Sequence, residues 1–280
     1  VWEEKYMTCD VSSLMVSCAH RAHMVQFEKT EAHTMMQQAL TLVQQRITHA
    51  AMAAGRPPQQ IRLIGVSKTH PASVVAAAHA AGLHDFGENR VQEAEGKITE
   101  LAALRHQMTW HLIGHLQRNK AKRAVQLFDY IHSVDSIELA QSISRHTIEL
   151  GKTQSNILLQ CNISGEVSKE GIDARGWETA RDIRMALVQL VQQIAQLPGI
   201  TICGLMTIAP YSDDPEHVRP VFASLRMLRD MLREVCPQHP FTELSMGMSG
   251  DVDVAIAEGA TMVRVGRALF GERPTPGSPS

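Results

Sequence analysis

Ile200-Thr201-Ile202-Cys203-Gly204-Leu205-Met206 is an apolar run interrupted by one threonine and one glycine. A strand with one wet face alternates apolar and polar residues, so a near-continuous run reads as a strand buried on both faces. Such strands belong to parallel sheets, whose crossover connections lay helices over the faces. The rest of the chain repeats the unit. Short apolar runs fall at 61–66, 84–86, 109–113, 130–133, 157–162, 200–206, 241–245 and 262–265. Helix-like segments separate them at 72–81, 91–104, 119–127, 137–150, 178–196, 216–235 and 252–258. This alternation predicts an α/β fold. A doubly wound open sheet would alternate in the same way, and the eight runs favour a single (β/α)8 barrel. Ahead of it, Met36, Leu40, Val43 and Ile47 recur at helical spacing within 30–54 and stop at Gly55 and Pro57-Pro58, which predicts an N-terminal helix.

Of the 280 residues, 44% are hydrophobic, 20% charged and 4% aromatic, and 27 Lys+Arg oppose 29 Asp+Glu for a net charge of −2. That composition supports a large core and excludes disorder for the bulk of the chain. The near-neutral balance argues against a nucleic-acid binder. Cys9, Cys18, Cys161, Cys203 and Cys236 are odd in number, widely spaced and without a C-x-x-C pair, and so read as reduced thiols. No apolar run approaches the ~20 residues of a membrane span. A secretory signal is not expected, because Glu3 and Glu4 replace a basic start and the apolar patch at 24–27 is short. A cytoplasmic location is therefore expected. Residues 1–29 show neither period and are expected to form a disordered extension, with the barrel over 30–273 and a flexible tail at 274–280.

Polar residues unsuited to buried strands collect at the C-terminal ends of the runs. They include Ser67-Lys68, Gly87-Glu88-Asn89-Arg90, His111, Asn162, Thr207, Ser245 and Arg264. In a (β/α)8 barrel that end carries the active-site loops. Two loops there combine glycine with the start of a helix: Ser245-Met246-Gly247-Met248-Ser249-Gly250-Asp251 and Gly266-Arg267-Ala268-Leu269-Phe270-Gly271. Their backbone N–H groups suit a phosphate, although plain turn glycines would look the same. Neither is a Walker or dinucleotide fingerprint. Lys68 is either a solvated strand-end lysine or a partly desolvated amine able to form an imine. Opposite a phosphate grip, it becomes a candidate for pyridoxal phosphate, held by an imine at one end and by its phosphate at the other.

Several ordered segments carry a resemblance. They are Ile64-Gly65-Val66-Ser67-Lys68, Phe86-Gly87-Glu88-Asn89-Arg90-Val91-Gln92-Glu93, Trp110-His111-Leu112-Ile113-Gly114-His115-Leu116-Gln117-Arg118-Asn119-Lys120, Gly204-Leu205-Met206, Leu244-Ser245-Met246-Gly247-Met248-Ser249 and Val263-Arg264-Val265-Gly266-Arg267-Ala268-Leu269-Phe270-Gly271. Together they closely resemble the pyridoxal phosphate homeostasis protein family over about residues 30–273. The resemblance implies a barrel of the alanine racemase N-terminal type with pyridoxal 5′-phosphate as a Schiff base on Lys68. It further implies Arg264 at the pyridine nitrogen, Ser245, Gly266 and Arg267 at the phosphate, and Asn89 and His111 around the cofactor. Ser249 is a further phosphate candidate. Some relatives carry threonine where Arg267 stands.

The function so implied is a carrier in vitamin B6 homeostasis without catalytic residues or substantial turnover, and the chain is expected not to be an enzyme. Pyridoxal-phosphate-requiring apoenzymes are the expected recipients. The chain is read as a monomer, with a weak dimer as the alternative, and no nucleic acid, membrane or metal partner is expected. Racemases of this type add a tyrosine base from a separate C-terminal domain. This chain is expected to lack that domain, and neither Tyr130 nor Tyr211 is expected to replace the tyrosine. The alternatives are a racemase or lyase of low activity on the same imine, and a phosphosugar enzyme on a plain barrel.

Other features have plainer readings. His111 and His115 are four apart, which would pair them for zinc on a helix, but they straddle a strand end and Gly114, so no metal is expected. Arg118, Lys120, Lys122 and Arg123 read as a solvated helix face. Met35, Met36 and Met52 read as packing, and Cys203 as an inert core thiol.

Overall fold

Strand pairing closes the chain into a ring. In the computed structural model, which describes residues 33–166 and 170–272, β1 (Arg62–Val66) lies between β2 (Asp85–Glu88) and β9 (Met262–Val265). Beyond β2 follow β3 (Thr109–Leu112), β4 (Tyr130–Val134) and β5 (Ser155–Asn162), and beyond β9 follow β8 (Glu243–Ser245) and β7 (Ile200–Met206). β5 pairs with both β4 and β7, and every pairing is parallel. The ring therefore has eight strands and no free edge. The residues expected as an extension at 1–29 and as a tail at 274–280 lie outside the described residues.

A helix follows each strand of the ring: α2 (Ala72–Ala80), α3 (Val91–Glu100), α4 (Ala121–Leu127), α5 (Ile137–Glu149), α6 (Arg181–Ala195), α7 (Arg219–Val235), α8 (Val252–Ala257) and α9 (Arg267–Phe270). The expected N-terminal helix is present as α1, helical across 33–53. It buries Leu40, Val43, Ile47 and Ala51. Arg46 of α1 grips both carboxylate oxygens of Asp253 at 2.6–3.1 Å and donates to the Ser249 carbonyl at 2.7 Å. Met36 packs on the core, but Met35 and Met52 are 70% and 68% exposed, so the methionines do not form the packing stripe expected of them. Among the described residues no helix is long and apolar enough to cross a membrane.

Alternation along each strand sorts side chains into two cores. On β9, Val263 and Val265 join the large cluster under the helices, whereas Met262 belongs to a small separate cluster with Ile64, Leu158, Cys203 and Met206 inside the ring. Burial pushes the Cys161 and Cys203 thiols up to about 12, which leaves them protonated and unreactive.

Three departures from the sequence reading have local causes. A two-residue strand, β6 (Ile172–Asp173), adds to the end of β5 and is too short to show a period. The helix expected at 91–104 stops at Glu100 and tightens into a 3-10 turn over Ala102–Gln107, which carries the chain into β3. β2 runs on through Glu88, a residue expected in a loop. Its side chain is fully buried and held by Ser67 and Lys97.

Closure between β7 and β8 depends on Gly204, which sits opposite Glu243. A Cβ at position 204 would lie 1.8 Å from the Glu243 carbonyl oxygen, so a side chain there must push the two strands apart. Gly204→Ala is expected to lower stability by about 2 kcal/mol or more, the upper part of the overpacking range. The urea midpoint reports this, and an unchanged midpoint would show that the ring tolerates the wider gap.

Candidate functional site

The end of β1 is built around a tight turn. His70 N–H donates to the Ser67 carbonyl at 3.1 Å, and Thr69 between them has φ +71°, in the left-handed region that a β-branched residue rarely adopts. Lys68 sits in this turn, half-buried, at the C-terminal mouth of the ring. A buried charge cluster under α3 holds both of its neighbours. Lys97 Nζ donates to the Ser67 carbonyl (2.7 Å), to Glu88 Oε1 (2.7 Å) and to Glu93 Oε1 (2.8 Å). Ser67 Oγ donates to Glu88 Oε1 at 2.6 Å, and Glu93 Oε1 accepts the Thr69 N–H at 2.5 Å. Burial raises the pKa of Glu88 despite the attraction of Lys97. For Glu93, burial is outweighed by the bonds from Lys97 and Thr69, and its pKa falls.

A cavity of about 410 Å³ opens at the mouth. Its walls come from Lys68 and His70 after β1, the segment 208–212 after β7, residues 248–251 after β8, and Arg264, Gly266 and Arg267 at β9. These are the strand ends that form the binding face of such barrels. Lys68, Arg264 and Arg267 bring three cationic groups against the single carboxylate of Asp251, so the cavity favours an anion. Arg264 is only 5% exposed, and burial pushes its guanidinium down to about 10, which leaves it charged at neutral pH. It donates to Ser245 Oγ at 2.7 Å and to the Thr207 carbonyl at 2.8 Å. Among the described residues, no carboxylate lies within ion-pair distance of it.

The expected site residues separate into two levels. Lys68, Arg264, Gly266 and Arg267 line the cavity together, and so does Ser249. Ser245 and His111 lie below, fully buried inside the ring. Ser245 Oγ stands between Arg264 and His132, and His111 between His132 and Asp85. Asn89 is half-buried after β2 and is not among the lining residues. Its backbone is where Gly114 packs, since a Cβ at 114 would be 2.5 Å from the Asn89 carbonyl oxygen.

His132, Asp85, Lys97 and His70 escaped the sequence reading. His132 carried a usable signal, a histidine between Ile131 and Ser133 on a strand that is buried from 131 to 134. His111 and His115 end up apart, the former inside the ring and the latter exposed beside Asp135 and Glu170. Tyr211 stands at the cavity rim, 88% exposed, and its hydroxyl bonds Asp213, which raises its pKa.

The Lys97 hub has a measurable weight. Lys97→Met would strand the Glu88 carboxylate in the interior and is expected to destabilise the fold by about 3–5 kcal/mol. Adding Glu88→Gln removes the stranded charge and should restore a large part of that loss. Thermal or urea unfolding of the single and double variants checks both, and two additive losses would contradict a shared buried charge.

The family described as "Alanine racemase, N-terminal domain" matches residues 40–274. A pyridoxal phosphate homeostasis protein of Pseudomonas aeruginosa is 43% identical over 229 residues, covering 81% of this chain and 91% of that protein. The corresponding protein of Aquifex aeolicus is 42% identical over 235 residues, covering 84% and 96%. Among solved structures, PipY of Synechococcus elongatus PCC7942 with PLP bound superimposes with a TM-score of 0.68 at 42% identity, over 82% of this chain and 100% of that one.

Proposed function

Because the chain belongs to the pyridoxal phosphate homeostasis protein family, we propose that it binds pyridoxal 5′-phosphate in the mouth cavity and serves intracellular vitamin B6 homeostasis as a carrier. The observation that carries this reading is Arg264, a buried cation in the same cavity as Lys68 with no carboxylate within ion-pair distance among the described residues. A ligand with an electron-rich ring atom for Arg264, an anionic group for the glycine-bearing loops and an aldehyde for a lysine answers all three needs. Pyridoxal phosphate supplies that set, including the electrophilic carbon, when bound.

Each group of the chain then has a task. Lys68 anchors the cofactor as a Schiff base, its turn held by the Lys97 hub. Gly266, Arg267 and Ser249 receive the phosphate, with N–H groups in the loops and the guanidinium of Arg267 at the rim. The loop carrying Ser249 is steadied from outside by Arg46. Arg264 offers donors only, so it supports an unprotonated ring nitrogen. Asn89 and His111 act from the surroundings of the site, through backbone packing and through His132.

The same features favour holding over turnover. An unprotonated ring nitrogen withdraws electrons weakly, and Tyr211 at the rim is exposed, with a hydroxyl that its bond to Asp213 keeps protonated at neutral pH and so unready to accept a proton. Recipients of the cofactor would be apoenzymes that require it.

Borohydride reduction of the pyridoxal-phosphate-loaded chain, followed by peptide mass analysis, is expected to place the label on Lys68, and Lys68→Ala should abolish it. Label on another lysine would refute the anchor. Incubation with common amino acids is expected to give no racemase or lyase turnover near about 1 per second, an ordinary enzyme rate. Sustained turnover that vanishes in Lys68→Ala would make the chain an enzyme.

A further inference from the structure

Five side chains inside the ring form a continuous line of hydrogen bonds, and its direction follows from the carboxylate at its lower end. At the upper end Arg264 Nη1 is 2.7 Å from Ser245 Oγ. A guanidinium has no acceptor, so Ser245 accepts there. Ser245 Oγ is 2.9 Å from His132 Nδ1, His132 Nε2 is 2.9 Å from His111 Nδ1, and His111 Nε2 is 3.0 Å from Asp85 Oδ1.

At the lower end the carboxylate of Asp85 has no hydrogen to give, so His111 carries its hydrogen on Nε2. Burial lowers the pKa of both histidines, that of His132 strongly, and each ring is neutral with one N–H at neutral pH. His111 Nδ1 must then accept from His132 Nε2, and His132 Nδ1 must accept the hydroxyl hydrogen of Ser245. Ser245, which accepts from Arg264 through a lone pair, has its one hydroxyl hydrogen available for that bond. Reversing one link alone would set two lone pairs or two hydrogens against each other in a dry interior. Arg62 steadies the lower end: its Nε lies 3.6 Å from Asp85, and its guanidinium sits over the ring of Tyr130, which stacks on His111 at 5.0 Å.

We propose that His132 and His111 are positioning residues which, with Ser245 and Asp85, lock the guanidinium of Arg264 in the orientation that leaves its remaining N–H groups to the cavity. The single hydroxyl hydrogen of Ser245 is spent on His132, so Ser245 serves the ring end of the bound molecule through Arg264 and donates nothing to a phosphate. This rests on the cavity being the pyridoxal phosphate site.

Nitrogen-15 spectra of the imidazoles in the full chain, at neutral pH without ligand, test the direction. The two buried rings identify themselves by mutual contact and by contact with Tyr130. Both are expected neutral with hydrogen on Nε2, and a ring found protonated or with hydrogen on Nδ1 overturns the proposal. This measurement needs no variant and decides the matter even where a substitution does not fold.

His132→Leu removes the acceptor for Ser245 and frees the hydroxyl to turn. Pyridoxal phosphate affinity is then expected to fall about tenfold, the order of one hydrogen bond to a charged group. Affinity for inorganic phosphate should stay unchanged. Equal losses for both ligands, or no loss for the cofactor, overturn the positioning role. An unsubstituted chain that shows the expected tautomers yet binds no pyridoxal phosphate would overturn the proposed function while upholding the hydrogen-bond chain.

Discussion

The interior of an eight-stranded barrel is just wide enough for side chains, and a polar group pointing inward must find its partner among other side chains. That constraint governs this molecule. Inward positions carry Asp85, His111, His132, Ser245 and Arg264, and each has an answering atom within 3.0 Å. An apolar cluster of Ile64, Leu158, Cys203, Met206 and Met262 fills the remaining space. The charge of Arg264 is tolerable there because the cavity opens beside it, and an anion-seeking mouth is the counterpart of a cation that forms no ion pair among the described residues.

Two buried networks approach the mouth from opposite sides of the β-wall. One runs inside the ring and ends on Arg264; the other lies outside it, between β1 and α3, and holds the residues on either side of Lys68. The two groups proposed to meet opposite ends of one ligand thus owe their positions to separate sets of contacts. Preorganisation of this kind lowers the cost of binding, since the guanidinium of Arg264 and the backbone turn that carries Lys68 are held without a ligand.

Much of the fold was legible in the sequence because a parallel barrel writes itself twice, in runs buried on both faces and in the helices between them. All eight runs became strands of the ring. Boundaries failed where side-chain partners overruled local character. Glu88 stayed in β2 because Ser67 and Lys97 hold one of its carboxylate oxygens, and no rule of local pattern contains that information. At the cavity, the lining positions of Lys68, Arg264, Gly266 and Arg267 were readable from their place at strand ends. The placement of Ser245 was not, because a serine two residues before a glycine looks the same whether its hydroxyl faces a loop or the barrel axis. His132 belongs to a network whose members are scattered from residue 85 to residue 264, and only the closed ring brings them together.

The grip of α1 on the mouth bears on the order in which the molecule is made. Arg46 reaches Ser249 and Asp253 across 203 and 207 residues of sequence. During synthesis the first helix therefore emerges long before the loop it steadies exists, and its guanidinium must wait through nearly the whole barrel. Contacts of such separation close late, after the ring that brings their ends together. The loop that carries Ser249 should accordingly reach its final shape among the last events of folding, so a nascent chain acquires its mouth cavity only once the barrel around it is complete.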